Sequence, residues 1–196
     1  MGTLPPTFVV GVGGSAGGLN AYQALLAALP ATTGMTFVII SHLSPDAYSY
    51  LADLLSRRTR MPVRAATHGT PIEADHVYII PKNSDLFIEN HAFKVVTPRA
   101  KRNNQIDLFF QSAAEAMGPN AIGIILSGYS KDGSDGCKQI KARGGTTFAQ
   151  DESAEVGEMP KNARATGVVD FVLPVHSIAA ELERISRRHS NQLRRQ

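Results

Sequence analysis

Apolar, often β-branched runs alternate with helical stripes along most of the chain. The runs predict strands at residues 8–12, 36–41, 63–66, 76–80, 122–126, 146–149 and 168–172. Between them, apolar residues at three- and four-residue spacing predict helices at 20–29, 48–58, 106–117, 134–143, 160–166 and 177–188. In the first helical segment Leu19, Tyr22, Leu25, Leu26 and Leu29 share one face, and Phe109, Phe110, Ala113 and Met117 do so in the third. Such alternation predicts βαβ units. The fold class is therefore α/β, a doubly wound, mostly parallel sheet with helices on both faces. Residues 86–96 break the pattern: two short strand-like runs flank Glu89-Asn90-His91-Ala92, predicting a small inserted β-hairpin. With no repeat and no boundary before residue 188, residues 1–188 form one domain, and 189–196 a basic tail or the start of a linker.

Composition narrows the class. A chain of 196 residues suits one domain with a sizeable core, and 43% hydrophobic with 19% charged residues is ordinary for a globular protein. The longest apolar runs, such as Phe37-Val38-Ile39-Ile40, are far too short to span a bilayer, and no secretory signal is apparent. Cys137 is the only cysteine, which excludes an internal disulfide and a multi-cysteine metal site and fits a reducing cytoplasm. His68, His76, His91, His176 and His189 follow no ligand spacing, so neither metal nor cofactor is expected. The net charge of +3 is uneven: Arg184, Arg187, Arg188, Arg194 and Arg195 close the chain with no acid among them. No aromatic residues interleave with them, so the run reads as a solvated helix end rather than a nucleic-acid platform. Arg99-Ala100-Lys101-Arg102-Asn103-Asn104 reads as an exposed basic loop, either meeting an acidic partner surface or simply solvated.

Candidate chemistry begins in the first strand. Phe8-Val9-Val10-Gly11-Val12-Gly13-Gly14-Ser15-Ala16-Gly17-Gly18-Leu19 runs from a strand through a glycine-packed turn into a helix. Glycines around Ser15 permit φ > 0 and clear the approach to its hydroxyl. Such a turn presents backbone N–H groups to a phosphate or presents a serine to a carbonyl carbon. The dinucleotide reading expects an acid at the end of the second strand, but Ser41-His42-Leu43 stands there, with no acid before Asp46. A Gly-Lys-Ser/Thr ending is also absent from the turn. The histidine shifts the balance toward catalysis.

Ser15, His42 and Asp132 each follow a predicted strand, at the rim where open parallel sheets bind ligands. They are the parts of a hydrolytic triad: a hydroxyl nucleophile, an imidazole base and an orienting carboxylate. Asp135 is the near rival acid, but it falls in the start of the next helix. Asp107, just inside a helix start, reads as favouring the helix dipole. Gly13-Gly14-Ser15-Ala16-Gly17 matches G-x-S-x-G, yet the order Ser15, His42, Asp132 differs from the Ser, acid, His order of α/β-hydrolases.

From about residue 8 to 182 the chain resembles the CheB-type protein-glutamate methylesterase domain of bacterial chemotaxis. The resemblance is carried by Gly-Gly-Ser-Ala-Gly-Gly at 13–18, Ser-His-Leu-Ser at 41–44, Ile-Asp-Leu-Phe-Phe at 106–110 and Leu-Ser-Gly-Tyr-Ser-Lys-Asp-Gly at 126–133. Gly-Gly-Thr-Thr-Phe-Ala-Gln-Asp at 144–151 and Met-Pro at 159–160 extend it. It implies Ser15 as nucleophile, His42 as general base and acid, and Asp132 as the acid that orients His42. It also implies oxyanion donors in the regions of Ala16 and Tyr129. The implied substrate is a glutamate γ-methyl ester on the cytoplasmic helices of methyl-accepting chemoreceptors, with glutamine deamidation as companion activity. The resemblance implies Gly-x-Gly-Ser/Asn-Asp-Gly around the acid, whereas here Ser130 stands at the second glycine and Lys131 adds a cation beside Asp132. No receiver domain precedes the esterase region, which points to a single-domain member or to a hybrid with a methyltransferase or regulatory domain. A non-catalytic signalling or scaffold domain that keeps the fold is the alternative from another class, and a nucleotide-binding module is a third.

Overall fold

The computed structural model describes residues 5–42 and 48–193. Leu43, Ser44, Asp46, Arg194 and Arg195, named above, lie outside the described residues. Strand β1 (Phe8–Gly14) leads into helix α1 (Gly18–Ala28), then β2 (Met35–Ser41), α2 (Tyr48–Ser56), β3 (Val63–Ala65) and β4 (His76–Ile79). The hairpin β5 (Asp85–Glu89) and β6 (Ala92–Val96) follows, then α3 (Gln105–Met117) and a 3₁₀ turn at Gly118–Asn120. The chain ends with β7 (Ala121–Ile125), α4 (Ser134–Ala142), β8 (Thr146–Gln150), α5 (Glu158–Ala165), β9 (Phe171–Leu173) and α6 (Val175–Leu193).

Seven strands form one parallel sheet in the order β3-β4-β2-β1-β7-β8-β9, and β5-β6 stand apart as an antiparallel pair. The chain leaves β1 in one direction for β2, and returns after α3 to β7 on its other side. This reversal of strand order opens a crevice beyond the carboxyl ends of β1 and β7. Alternate strand residues feed two cores. Val10, Val12, Phe37 and Ile39 pack with Leu25, Leu55, Ile178 and Leu182 of α1, α2 and α6. Val9, Val38, Ile40 and Tyr78 pack with Phe109, Phe110 and Ile140 of α3 and α4 and with Phe93 of the hairpin. Each of these large side chains contributes about 1.5–3 kcal/mol on burial.

The doubly wound sheet and the inserted hairpin agree with the sequence reading. Boundaries differ where side chains override pattern. β1 runs to Gly14 rather than ending at 12, since Gly13 and Gly14 still pair with Ile40 and Ser41 of β2, and its glycines lie where α3 and α1 come close. An ideal Cβ at Gly11 lies 2.7 Å from Phe110 Cε1, at Gly13 2.7 Å from Ile106 Cγ2, and at Gly14 2.5 Å from Tyr22 Oη. The last strand was predicted at 168–172 but is Phe171–Leu173. Thr147 explains the shift: its N–H donates to Asp170 Oδ2 at 3.0 Å and its hydroxyl to the Val168 carbonyl at 2.7 Å, so side chains pin 168–170 before pairing begins. Helix α6 continues beyond 188 to Leu193, so the expected boundary at 188 falls inside it. His189 contacts the Phe8 ring edge-on at 5.3 Å, and Ser186 Oγ donates to the Thr33 carbonyl at 2.6 Å.

Candidate active site

Register places the first two residues. β1 pairs with β2 so that Gly14 stands opposite Ser41, and the residues that follow, Ser15 and His42, leave the sheet side by side. The His42 N–H donates to the Gly14 carbonyl at 3.3 Å. On the other side of β1, Leu126 N donates to the Gly13 carbonyl at 2.8 Å, and Ser15 N to the Ser127 carbonyl at 2.9 Å. Ser15 is thus fastened to both neighbouring strand ends.

The turn after Ser15 is closed by Gly18 N donating to the Ser15 carbonyl at 2.9 Å. Its third residue, Gly17, sits at φ 72 and ψ −4, the position that type II geometry reserves for glycine. Ser127 Oγ donates to the Ala16 carbonyl at 2.8 Å and accepts from Val156 N at 2.9 Å. A Cβ on Gly17 would lie 2.5 Å from that oxygen. One at Gly128 would meet Met159 Cε at 2.8 Å and Ser15 Cβ at 3.1 Å, so the β7 loop passes directly against the serine.

His42 and Asp132 are in contact: Nε2 lies 2.7 Å from Oδ2, with side chains 7% and 0% exposed. Asp132 has three donors. Beside His42, its Oδ2 accepts from Ile106 N at 3.1 Å and its Oδ1 from Asp107 N at 2.9 Å. Both N–H groups belong to the first turn of α3, whose positive dipole end favours an anion there. Ser130 Oγ accepts from Asp132 N at 3.0 Å, so Ser130 braces the acid. Lys131 is exposed. Asp135 points elsewhere: it pairs with Lys138 at 2.8 Å, and that bond lowers its pKa.

All three candidates therefore gather at the ends of β2, β1 and the loop after β7. The Ser15 hydroxyl makes no hydrogen bond with His42 among the described residues. Ser15 and Gly128 commit their N–H groups to Ser127 and Val156 carbonyls, whereas those of Ala16 and Tyr129 have no acceptor among the described residues. The Tyr129 side chain stands 63% exposed. Among the described residues no cluster of His, Cys, Asp or Glu is arranged to hold a metal, and no helix is long and apolar enough to cross a membrane.

Sequence reasoning did not assign roles to Ser127, Ser130 or Met159, and it gave Asp107 only its own helix. Asp107 Oδ1 instead accepts from Gly133 N at 2.9 Å and Gly136 N at 2.6 Å, across the α3–α4 contact. Burial, and behind it the charge of Asp132, push its carboxyl up to about 6, against the pull of those N–H groups. Cys137 is buried, and its thiol is pushed up to about 12 by burial and then by Asp107.

An open parallel α/β sheet with a serine turn and a buried His–Asp pair beyond adjacent strand ends defines a class with the layout of a serine hydrolase. The chain belongs to the CheB methylesterase family, whose model matches residues 10–182. A protein-glutamate methylesterase/protein-glutamine glutaminase of Burkholderia orbicola (strain AU 1054) is 37% identical over 182 residues, covering 90% of this chain and 53% of that protein. Another, of Anaeromyxobacter dehalogenans (strain 2CP-C), is 34% identical over 186 residues, covering 91% and 52%. The crystal structure of the Thermotoga maritima CheB methylesterase catalytic domain matches with a TM-score of 0.84 at 28% identity, covering 91% of this chain and 98% of that one. This chain spans about half the length of the curated relatives it matches.

Proposed function

We propose that the chain hydrolyses γ-methyl esters of glutamate side chains on proteins, with Ser15 as nucleophile, His42 as base and acid, and Asp132 as the orienting carboxylate. The observation that carries this reading is the 2.7 Å contact between His42 Nε2 and Asp132 Oδ2, one strand away from Ser15. An ionised Asp132 accepts the Nε2 proton and leaves the Nδ1 lone pair as the base, the reverse of the ring orientation in the chymotrypsin template. The names of the relatives supply the substrate class.

The steps follow from these roles. His42 Nδ1 takes the Ser15 proton as Oγ attacks the ester carbonyl carbon. The tetrahedral oxyanion is met by the N–H groups of Ala16 and Tyr129, which no protein acceptor among the described residues competes for. The imidazolium, stabilised by Asp132, protonates the departing methoxide as methanol. Water, deprotonated by the same nitrogen, then hydrolyses the acyl-serine and frees the glutamate carboxylate. A glutamine side chain passes through the same steps with ammonia leaving. No cofactor enters. The Ser15–His42 hydrogen bond belongs to the reacting complex, where catalytic hydrogen bonds tighten. The partners in this reading are the cytoplasmic helices of methylated chemoreceptors, which places the protein in the cytoplasm.

A serine-directed phosphonate tests the nucleophile. Mass addition to Ser15 in the wild type, lost in Ser15→Ala, is the expected result; labelling that survives Ser15→Ala overturns the assignment.

A further inference from the structure

Two carboxylates hold the helices that carry one another. Asp132, two residues before α4, accepts from the Ile106 and Asp107 N–H groups at the start of α3. Asp107, on α3, accepts from the Gly133 and Gly136 N–H groups at the start of α4. Each anion thus satisfies donors that a helix start leaves without an intrahelical partner. The helices come close because α4 has glycine at the contact: a Cβ at Gly136 would lie 2.6 Å from Phe110 Cβ and 3.1 Å from Asp107 Cα. If α4 slides, Asp132 moves, and with it the oxygen that meets His42.

We propose that Asp107 is a positioning residue for Asp132: by accepting from the Gly133 and Gly136 N–H groups it fixes the approach to α4 and so holds the Asp132 carboxylate against His42. The inference rests on the hydrolytic reading for its effect on rate. Asp132 Oδ2 transmits it, since it bonds Ile106 of α3 and His42 at once.

Both backbone bonds to Asp107 use one oxygen, so charge and geometry separate cleanly. Asp107→Asn keeps an acceptor oxygen there and removes the charge; Asp107→Ala removes both. The full chain is assayed for ester hydrolysis, and hydrogen exchange is followed at the Ile106 amide, which Asp132 holds. Asp107→Ala is expected to lower kcat about 10- to 100-fold with KM nearly unchanged, as misplacement of a catalytic group does, and to quicken exchange at Ile106. Asp107→Asn, which keeps the acceptor, is expected to retain most of kcat and the slow exchange. Wild-type kcat or unchanged Ile106 exchange in a folded Asp107→Ala overturns the positioning role. Loss of kcat in a folded Asp107→Asn overturns it too, and stays readable if the alanine variant does not fold. A wild-type chain without ester hydrolysis, in which Asp107→Ala still quickens exchange at Ile106, sinks the hydrolytic reading and upholds the positioning.

Discussion

Gly13 and Ile106 are packed so closely that no methyl group fits between them. An ideal Cβ on Gly13 would lie 2.7 Å from Ile106 Cγ2 and 2.8 Å from Cδ1. Ile106 is the second residue of α3, and its N–H holds Asp132. Gly13→Ala therefore pushes on the helix start that supports the acid. The expected cost is about 1–3 kcal/mol, the usual range for overpacking. Urea unfolding should show a lower midpoint, and kcat should fall with it.

Asp132→Asn tests the acid. The amide NH₂ must face either the Ile106 or the Asp107 N–H, because each carboxylate oxygen accepts from one of them. The charge that stabilises the His42 imidazolium is lost in both orientations. The expected loss is on the order of 10⁴ in kcat, by analogy with the serine-protease aspartate. Asp135→Asn is the control, since its partner is the exposed Lys138; a larger loss there would show that the wrong acid has been chosen.

Ser127→Ala deprives two backbone groups at once, the Ala16 carbonyl and the Val156 N–H. Leaving such groups unpaired costs about 1–3 kcal/mol. Hydrogen exchange at the Val156 amide should quicken, and kcat should drop because the Ser15 turn has lost a tether. Unchanged exchange would mean that Ser127 does not hold the loop.

Stability should depend on pH through Asp107. Its folded value of about 6 stands above the ordinary aspartate value of 3.8. A raised carboxyl pKa means that the folded state binds the proton more tightly, so the associated stability is present below the unfolded value and is lost as pH rises through the folded one. Between about pH 4 and pH 6, wild type should lose stability relative to Asp107→Asn, measured as thermal midpoints across that window. A wild type that gains stability relative to Asp107→Asn across that window would contradict the sign.

Much of this was legible in the chain. Ser15, His42 and Asp132 could be placed because strand ends in a parallel sheet converge on one rim, and period and turn residues mark strand ends. The glycines were read less well. They suggested clearance for the Ser15 hydroxyl and φ > 0 on both sides, yet within the motif only Gly17 has positive φ. Gly13 and Gly14 instead make room for Ile106 and Tyr22. A glycine looks the same in a sequence whether it bends the chain or admits a neighbour. Asp107 was hidden for a related reason: its partners Gly133 and Gly136 lie 26 and 29 residues away. The β9 boundary turned on Thr147 and Asp170, which are 23 residues apart. Local pattern carries the elements, while side chains bonded across the fold set their ends.

The central claim is that Ser15 opens a protein-borne methyl ester. The most direct measurement is methanol release from membranes carrying methylated chemoreceptors, with the wild-type chain compared against Ser15→Ala. The account predicts release by the wild type and none above background from the variant, whose fold should be unchanged in circular dichroism. Equal release from both, or none from a folded wild type, would contradict it.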